Sequence, residues 1–189
     1  DLNIQNNFLW PENQYELLFI ADDIYPEKHS INLDSNQSIN INLNWYDLIF
    51  SDSFYDIDNW NVIRGDWYVE DGTLISQTDL IYGNYHPFGP DRINLSYPIH
   101  TIGSSNHEIA IKLSLKNELE WGKDTLFVDI YNDSDSLNIY SNTSQNWNFH
   151  DDYIHTNISS QNNYISLGIK SDITLGYRGL ELDHINVLY

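Results

Sequence analysis

Apolar and polar residues alternate along much of this chain, in short segments separated by polar turns. Residues 107–115 place Ile109, Ile111, Leu113 and Leu115 at every second position, and residues 125–131 and 164–170 also have strand character. A period of two residues puts one set of side chains on the core face of a strand. No window of a dozen residues keeps the 3.6-residue period of an amphipathic helix.

Polar clusters at residues 70–72, 132–136 and 159–163 predict the turns. Short strands at a spacing of roughly 8–12 residues are typical of β-sandwiches. We therefore expect an all-β fold, a jelly-roll or β-sandwich. Residues 49–189 form the predicted jelly-roll domain. Residues 1–48 form a strand-rich N-terminal extension with a β-hairpin that turns at residues 34–36.

The last strand changes phase at Asp183. Leu180 and Leu182 share one phase of the alternation, whereas Ile185 and Val187 share the other. The pattern predicts a β-bulge or a change of sheet at this point. A bulge can aim a side chain at a ligand, or it can bend a strand without any ligand, and both interpretations stay open.

The charge is strongly negative, with 8 basic residues against 28 acidic ones and a net charge of -20. Such a field repels phosphate backbones and anionic membrane surfaces, so we expect no nucleic-acid partner. No apolar run of about 18 residues exists, and we expect no membrane insertion. Bound divalent cations would offset the charge, and simple solvation in a salty medium explains it equally well.

The chain contains no Cys and no Met and starts at Asp1. We interpret this start as the product of signal-peptide removal or of proteolysis of a precursor, and expect a secreted, extracellular protein. N-x-[ST] sequons predict glycosylation at Asn36, Asn94, Asn132, Asn142 and Asn157.

Three segments carry a family resemblance. The first contains Asp52, Phe54 and Trp60, the second is PDRINLSYP at residues 90–98, and the third is GLELDHINV at residues 179–187. In this order they resemble the cleaved-adhesin, or choice-of-anchor J, jelly-roll domains of secreted proteins. Related domains follow the catalytic domains of secreted peptidases, and MAM domains are more distant relatives.

The resemblance implies a structural Ca²⁺ held by acidic residues of the first and last strands. Asp52 and Asp183 are the ligands that it implies, with Asp91 as a weaker candidate. Ca²⁺ takes six to eight oxygen ligands, which suits carboxylates and carbonyls. His184 stands where the family has a second acidic residue.

Several aromatic residues lie in loop-like contexts, where they could stack on sugars. They are Tyr82, Tyr85, His86, Trp121 and Trp147. Packing in the core is the alternative interpretation of these residues.

We predict no catalytic residues, because the chain lacks G-x-S-x-G, H-E-x-x-H and any phosphate-binding loop. The expected function is that of a calcium-stabilised cell-surface or peptidase-accessory module for adhesion, which binds an extracellular glycan or protein. The alternative is a structural subunit of an extracellular filament or surface layer, which binds copies of itself by strand exchange. A third hypothesis is a glycoside-active enzyme, since residues 118–124 resemble the paired-carboxylate strand of jelly-roll glucanases.

Overall fold

A computed structural model describes residues 14–21, 24–32, 47–76, 90–99, 107–158, 162–171 and 179–189. The chain divides into two compact units, Asp1–Tyr46 and Asp47–Tyr189. The described residues include no helix that is long and apolar enough to cross a membrane.

The first unit contains a β-hairpin. Its strands are β1 (Gln14–Ala21) and β2 (Ile24–Asn32), which pair antiparallel with an irregularity between Phe19 and Ala21. This hairpin lies earlier in the chain than the predicted turn at residues 34–36, which is outside the described residues. Residues 1–10 are rich in apolar side chains, which makes them the candidate segment for strand exchange between copies. They also lie outside the described residues, so assembly into a filament stays a prediction.

The second unit is an all-β sandwich with the jelly-roll fold. Its described strands are β3 (Leu48–Asp52), β4 (Trp60–Arg64), β5 (Trp67–Glu70), β6 (Thr73–Ser76), β7 (Asp91–Leu95), β8 (His107–Glu118), β9 (Thr125–Tyr131), β10 (Ser136–Asn142), β11 (Asn146–Ile158), β12 (Tyr164–Lys170) and β13 (Gly179–Leu188). One sheet has five strands in the order β10-β9-β12-β7-β4. The other has six, in the order β11-β8-β13-β6-β5 with β3 also paired to β13.

The core consists of the alternating apolar side chains of both sheets. On β8 these are Ile109, Ile111, Leu113 and Leu115, all almost fully buried. The five-stranded sheet supplies Leu126, Val128 and Ile130 from β9 and Ile165, Leu167 and Ile169 from β12. Because each strand has a period of two, the residues between these positions lie on the outer face of their sheet.

The predicted irregularity in the last strand is confirmed. The register of β13 against β8 shifts between Leu182 and His184, so Asp183 is the bulged residue. Residues before the bulge pair with β6, and residues after it pair with β3. The bulge therefore marks the point where β13 changes its partner on one side.

Tyr140 links the two sheets at one edge. It lies on β10, the edge strand of the five-stranded sheet, and its hydroxyl donates a hydrogen bond to Asp152 Oδ2 on β11, an edge strand of the other sheet. Asn142 Nδ2 donates to the same hydroxyl at 2.8 Å. Burial raises the pKa of Tyr140, and the hydrogen bond to Asp152 raises it further.

This link makes stability fall in alkali. Because the pKa of Tyr140 is higher in the folded protein than in the unfolded chain, the unfolded chain loses its proton first as the pH rises above about 10. The unfolding free energy should then fall with each further pH unit by less than the ~1.4 kcal/mol that a fully shielded group would lose, because solvent screens a half-buried hydroxyl. Urea unfolding of Tyr140→Phe between pH 7 and 11 should show a shallower alkaline decline than the wild type. Curves of equal slope would contradict the prediction.

Candidate functional site

The outer face of the five-stranded sheet, called the sheet face below, carries a row of polar side chains. Strand pairing aligns Asn61 with Asn94, Asn94 with Ser166, Ser166 with Asp129, and Asp129 with Asn138. These five residues, the polar row, cross all five strands side by side. Asn94, Ser166 and Asp129 alternate with core residues of their strands, and Ser166 and Asp129 are themselves buried, whereas Asn61 and Asn138 are exposed on the two edge strands.

An aromatic pair lies next to the polar row. Tyr164 and Tyr131 are register partners on β12 and β9, and their rings stack with centroids 5.2 Å apart and planes at 19°. Both rings are half-buried. Burial and the neighbouring Tyr164 raise the pKa of Tyr131, whereas a hydrogen bond with the Asn94 side chain opposes the shift. Tyr131 therefore stays protonated and can act as both donor and acceptor at neutral pH.

On the other side of the polar row, three groups stack: the backbone of Gly168, the ring of Phe127 and the guanidinium of Arg92. The ring of Phe127 lies over Gly168, where an added Cβ would come within 2.1 Å of Phe127 Cζ. The Arg92 guanidinium lies 5.0 Å from the centroid of the Phe127 ring and contacts Asp129 Oδ2 at 2.9 Å. Asn138 Nδ2 donates to the other oxygen of Asp129 at 2.8 Å. The charge of Arg92 is thus compensated within the sheet face.

A pocket of about 550 Å³ opens at the end of the sheet face where β9 turns into β10. Its lining consists of Arg92, Asn94, Tyr131, Asn132 and residues 134–136. The predicted turn at residues 132–136 forms one wall. Asn132 Oδ1 accepts hydrogen bonds from the backbone N–H groups of Ser134 and Asp135, each at 2.9 Å, which fixes this wall.

Two buried polar atoms of the polar row have no hydrogen-bond partner among the described residues. They are Asn94 Oδ1 and Ser166 Oγ, which belong to register partners on β7 and β12. A buried polar atom without a partner costs about 1–3 kcal/mol. Asn94 also lines the pocket, although its Oδ1 is itself covered by protein atoms.

The three predicted calcium ligands lie in different environments. Asp52 is buried on β3 and Asp91 is buried on β7 in the other sheet, with the Gly65 backbone packed against its carboxyl group. Asp183 is exposed at the bulge and contacts His184 Nδ1 at 3.0 Å. The described residues contain no group of three or more acidic or His side chains that could hold a metal ion. Calcium binding therefore stays a prediction from the resemblance, without support from this geometry.

Asp52 instead organises the loop that joins β3 to β4. Its Oδ1 accepts from Phe54 N–H at 2.7 Å, and its Oδ2 accepts from Asn59 Nδ2 at 3.0 Å and Trp60 Nε1 at 2.9 Å. Phe54 has a positive φ of 52° and a fully buried ring against Trp60. Three donors compensate the buried carboxylate and hold Phe54 in a backbone conformation that costs about 1–2 kcal/mol.

The predicted sugar-stacking residues are only partly described. Tyr82, Tyr85 and His86 lie outside the described residues, as does the side chain of Trp147, whose backbone belongs to β11. Trp121 lies in the loop between β8 and β9 with 77% of its surface exposed. It is not part of the sheet face.

The predicted glycosylation sites differ in their surroundings. Asn157 is exposed on β11, whereas Asn94 belongs to the polar row and Asn132 holds the pocket wall. Asn142 donates to Tyr140 and accepts from Ser144. Asn36 lies outside the described residues. Modification of any of them stays a prediction.

The sequence analysis did not single out Tyr131, Tyr164, Arg92, Ser166 or Asp129. A usable signal was present, because strands at residues 125–131 and 164–170 were predicted and their polar and aromatic positions alternate with the core. Phe127, Asp129 and Tyr131 on one strand fit such an outward face.

No protein-family model and no curated protein matches this sequence. Among solved structures, the endo-1,3-β-glucanase from Streptomyces sioyaensis is similar with a TM-score of 0.53 at 8% identity, over 80% of this chain and 99% of that chain. CBM29_1, a family 29 carbohydrate-binding module from Piromyces equi, has a TM-score of 0.42 at 13% identity, over 75% and 89% of the two chains.

The third similar structure contains the CBM22-1 and GH10 modules of xylanase 10B from Clostridium thermocellum. Its TM-score is 0.46 at 16% identity, over 75% of this chain, and this chain spans 28% of its length. At such identities only the fold is shared. The class of protein is thereby established as an all-β jelly-roll sandwich.

The buried carboxylate of Asp52 should be important for stability. We expect Asp52→Ala to lower the unfolding free energy by about 3 kcal/mol, because it leaves buried N–H donors without an acceptor. Asp56→Ala is the matched control, since Asp56 accepts from Asp58 N–H in the same two-residue geometry but is exposed. It should cost less than about 1 kcal/mol. Equal losses in urea titrations would show that the buried network does not stabilise the loop.

Proposed function

We propose that this protein is a non-catalytic module that binds a neutral polysaccharide across the sheet face. The observation that carries the proposal is the polar row, which crosses every strand of the sheet beside the stacked rings of Tyr131 and Tyr164. Sugars combine hydroxyl groups with apolar C–H faces. The exposed or half-buried amides of Asn61, Asn94 and Asn138, together with the tyrosine rings and their hydroxyls, complement both.

The length of the polar row favours a chain of sugars over a single one. Neighbouring strands lie about 4.8 Å apart, so a row across five strands extends for about 19 Å. The pocket at residues 134–136 adds acceptors and donors beside Tyr131 at one end. A surface of this length suits several consecutive residues of a polymer.

The charges favour a neutral ligand. Arg92 is the cation of the pocket lining, and its partner Asp129 neutralises it at 2.9 Å. The remaining field comes from a chain with a net charge of -20, which repels anionic sugars. Recognition therefore depends on hydrogen bonds to hydroxyls rather than on ion pairs with uronates.

Binding without cleavage fits the carboxylates that the structure describes. Glycoside hydrolysis uses two carboxyl groups, about 5–9.5 Å apart, on either side of the bond to be broken. The polar row contributes Asp129, whose two oxygens hold neighbouring side chains, and the pocket contributes Asp135, whose Oδ1 accepts from Ser136 N–H in the turn.

The third hypothesis, a glycoside-active enzyme, depended on residues 118–124. There Glu118 forms a salt bridge with Lys116, and Asp124 Oδ2 accepts from the backbone N–H of Glu120. These contacts are the kind that hold a loop, and the proposal accordingly assigns these carboxylates a structural role.

The resemblance to cleaved-adhesin domains extends the proposal to the place where the protein acts. A secreted module at a cell surface, or beside the catalytic domain of a secreted peptidase, would use the sheet face for adhesion to extracellular polysaccharide. Glycosylation at exposed Asn157 would be compatible with such binding, because β11 belongs to the other sheet.

Removing the aromatic pair should abolish most of the binding. We expect Tyr131→Ala with Tyr164→Ala to weaken the affinity for a neutral polymer about tenfold or more, since two stacking contacts are lost. The measurement is affinity electrophoresis and calorimetry against a panel with β-1,3-glucan, β-1,4-xylan and, as the charged comparator, polygalacturonate.

Tyr153→Ala is the matched control for this experiment. Tyr153 is an outward tyrosine of the six-stranded sheet, and Lys112 Nζ lies 5.8 Å from its ring centroid. The substitution should leave binding unchanged. Equal effects of both variants, or preferential binding of polygalacturonate by the wild type, would contradict the proposal.

Calcium stabilisation is the part of the proposal that comes from the resemblance alone. If Ca²⁺ binds only the folded protein, the Tm should rise with the logarithm of its concentration. Asp183→Asn should remove that rise in Tm. Glu181→Gln changes an acidic residue of the same strand, one that binds Lys116 of β8, and should keep the rise. A melting curve that is the same in excess chelator and in Ca²⁺ would overturn this part.

A further inference from the structure

Trp121 is displayed on a loop that fixed contacts hold in place. The backbone N–H of Asp124 donates to Glu120 O at 2.9 Å, and Asp124 Oδ2 accepts from Glu120 N–H at 2.9 Å. Asp124 itself is fully buried. Between them Gly122 turns the chain with a φ of 71°. An indole with 77% of its surface exposed is therefore presented by a loop with an anchored base.

A second loop supports this one from the side. Gly122 N–H donates to Thr143 O at 3.3 Å, and Asn117 Nδ2 donates to Ser144 O at 2.6 Å. Thr143 and Ser144 are themselves exposed. The loop that carries the indole thus lies beside residues 143–144, and Lys123 follows in the same loop.

Trp121 and the pocket of the sheet face lie at opposite ends of β9. The strand begins at Thr125, four residues after Trp121, and ends at Tyr131, which lines the pocket. Six steps along a strand cover about 20 Å. One small ligand cannot contact both, whereas a polymer that leaves the pocket along the direction of β9 is long enough to reach the indole.

We propose that Trp121 forms a second carbohydrate contact, in which the indole stacks on a sugar ring of the same neutral polymer that the sheet face binds. The inference takes its ligand class from the proposed function and adds a site to it. An indole has two side-chain torsions and so loses little entropy on binding, and its flat ring matches the C–H face of one pyranose. Two linked contacts raise the affinity for a polymer well above that of either alone.

The net charge of the chain and the small size of the contact favour a neutral sugar over a nucleic acid or a protein as the ligand of Trp121. Nucleic-acid bases also stack on exposed aromatic rings, but their phosphates would meet a net charge of -20. A stable protein interface buries about 1,200–2,000 Å², far more than one side chain provides. A neutral sugar needs only the ring and nearby hydroxyls.

The test compares a polymer with a short oligosaccharide of the same linkage. Insoluble β-1,3-glucan and its soluble trisaccharide form one pair, and β-1,4-xylan with xylotriose forms the other. Trp121→Ala should weaken binding to the polymer about tenfold or more and leave trisaccharide binding at the sheet face within about twofold. Trp121→Phe should retain most of the polymer affinity, because a phenyl ring can still stack.

Tyr55→Ala is the matched control, since Tyr55 is an aromatic residue with 95% exposure in the loop before β4. It should behave as the wild type. Polymer binding by Trp121→Ala equal to that of the wild type would overturn the second contact, as would a Trp121→Phe loss as large as that of Trp121→Ala.

The two proposals fail in different ways. If Tyr131→Ala with Tyr164→Ala binds the trisaccharide normally while Trp121→Ala still loses the polymer, the second contact stands and the sheet-face site is wrong. If the wild type binds neither polymer nor any other neutral member of the panel, both proposals are wrong.

Discussion

The period of two residues along each strand is the constraint that ties the core to the candidate site. On β9, Leu126, Val128 and Ile130 enter the core, while the residues between them form part of the sheet face. A slip of one residue would exchange the two sets. The apolar burial that stabilises the sandwich therefore also fixes which polar and aromatic side chains meet on its outside.

Alternation is a local signal, and it predicted local features well. The strands β9 and β12 have the bounds that the pattern indicated, and the phase change at Asp183 appears as a bulge. The polar row is different, because it combines residues from 61 to 166 through pairing between strands far apart in sequence. A sequence shows that Ser166 points outward, but only the strand order places it between Asn94 and Asp129.

Asp52 shows how burial decides between two uses of one residue. The sequence marked it because an acidic residue precedes Phe54 and Trp60, and both neighbours do donate hydrogen bonds to it. A buried carboxylate needs compensation, which cations or N–H donors can supply. Here three donors lie within eight residues of Asp52, whereas the bulge turns Asp183 towards solvent. The motif alone does not distinguish a metal ligand from a loop anchor.

The sheet face depends on a single glycine in its middle strand. Any side chain at position 168 would displace the ring of Phe127, which comes within 2.1 Å of where a Cβ would stand. That ring supports the guanidinium of Arg92, and Arg92 in turn holds Asp129, whose other oxygen positions Asn138. The contacts thus lead from the glycine backbone to an aromatic ring, from the ring to an ion pair, and from the ion pair to an amide side chain. Since each step fixes the next, the polar groups are positioned before any ligand arrives, and binding need not order them.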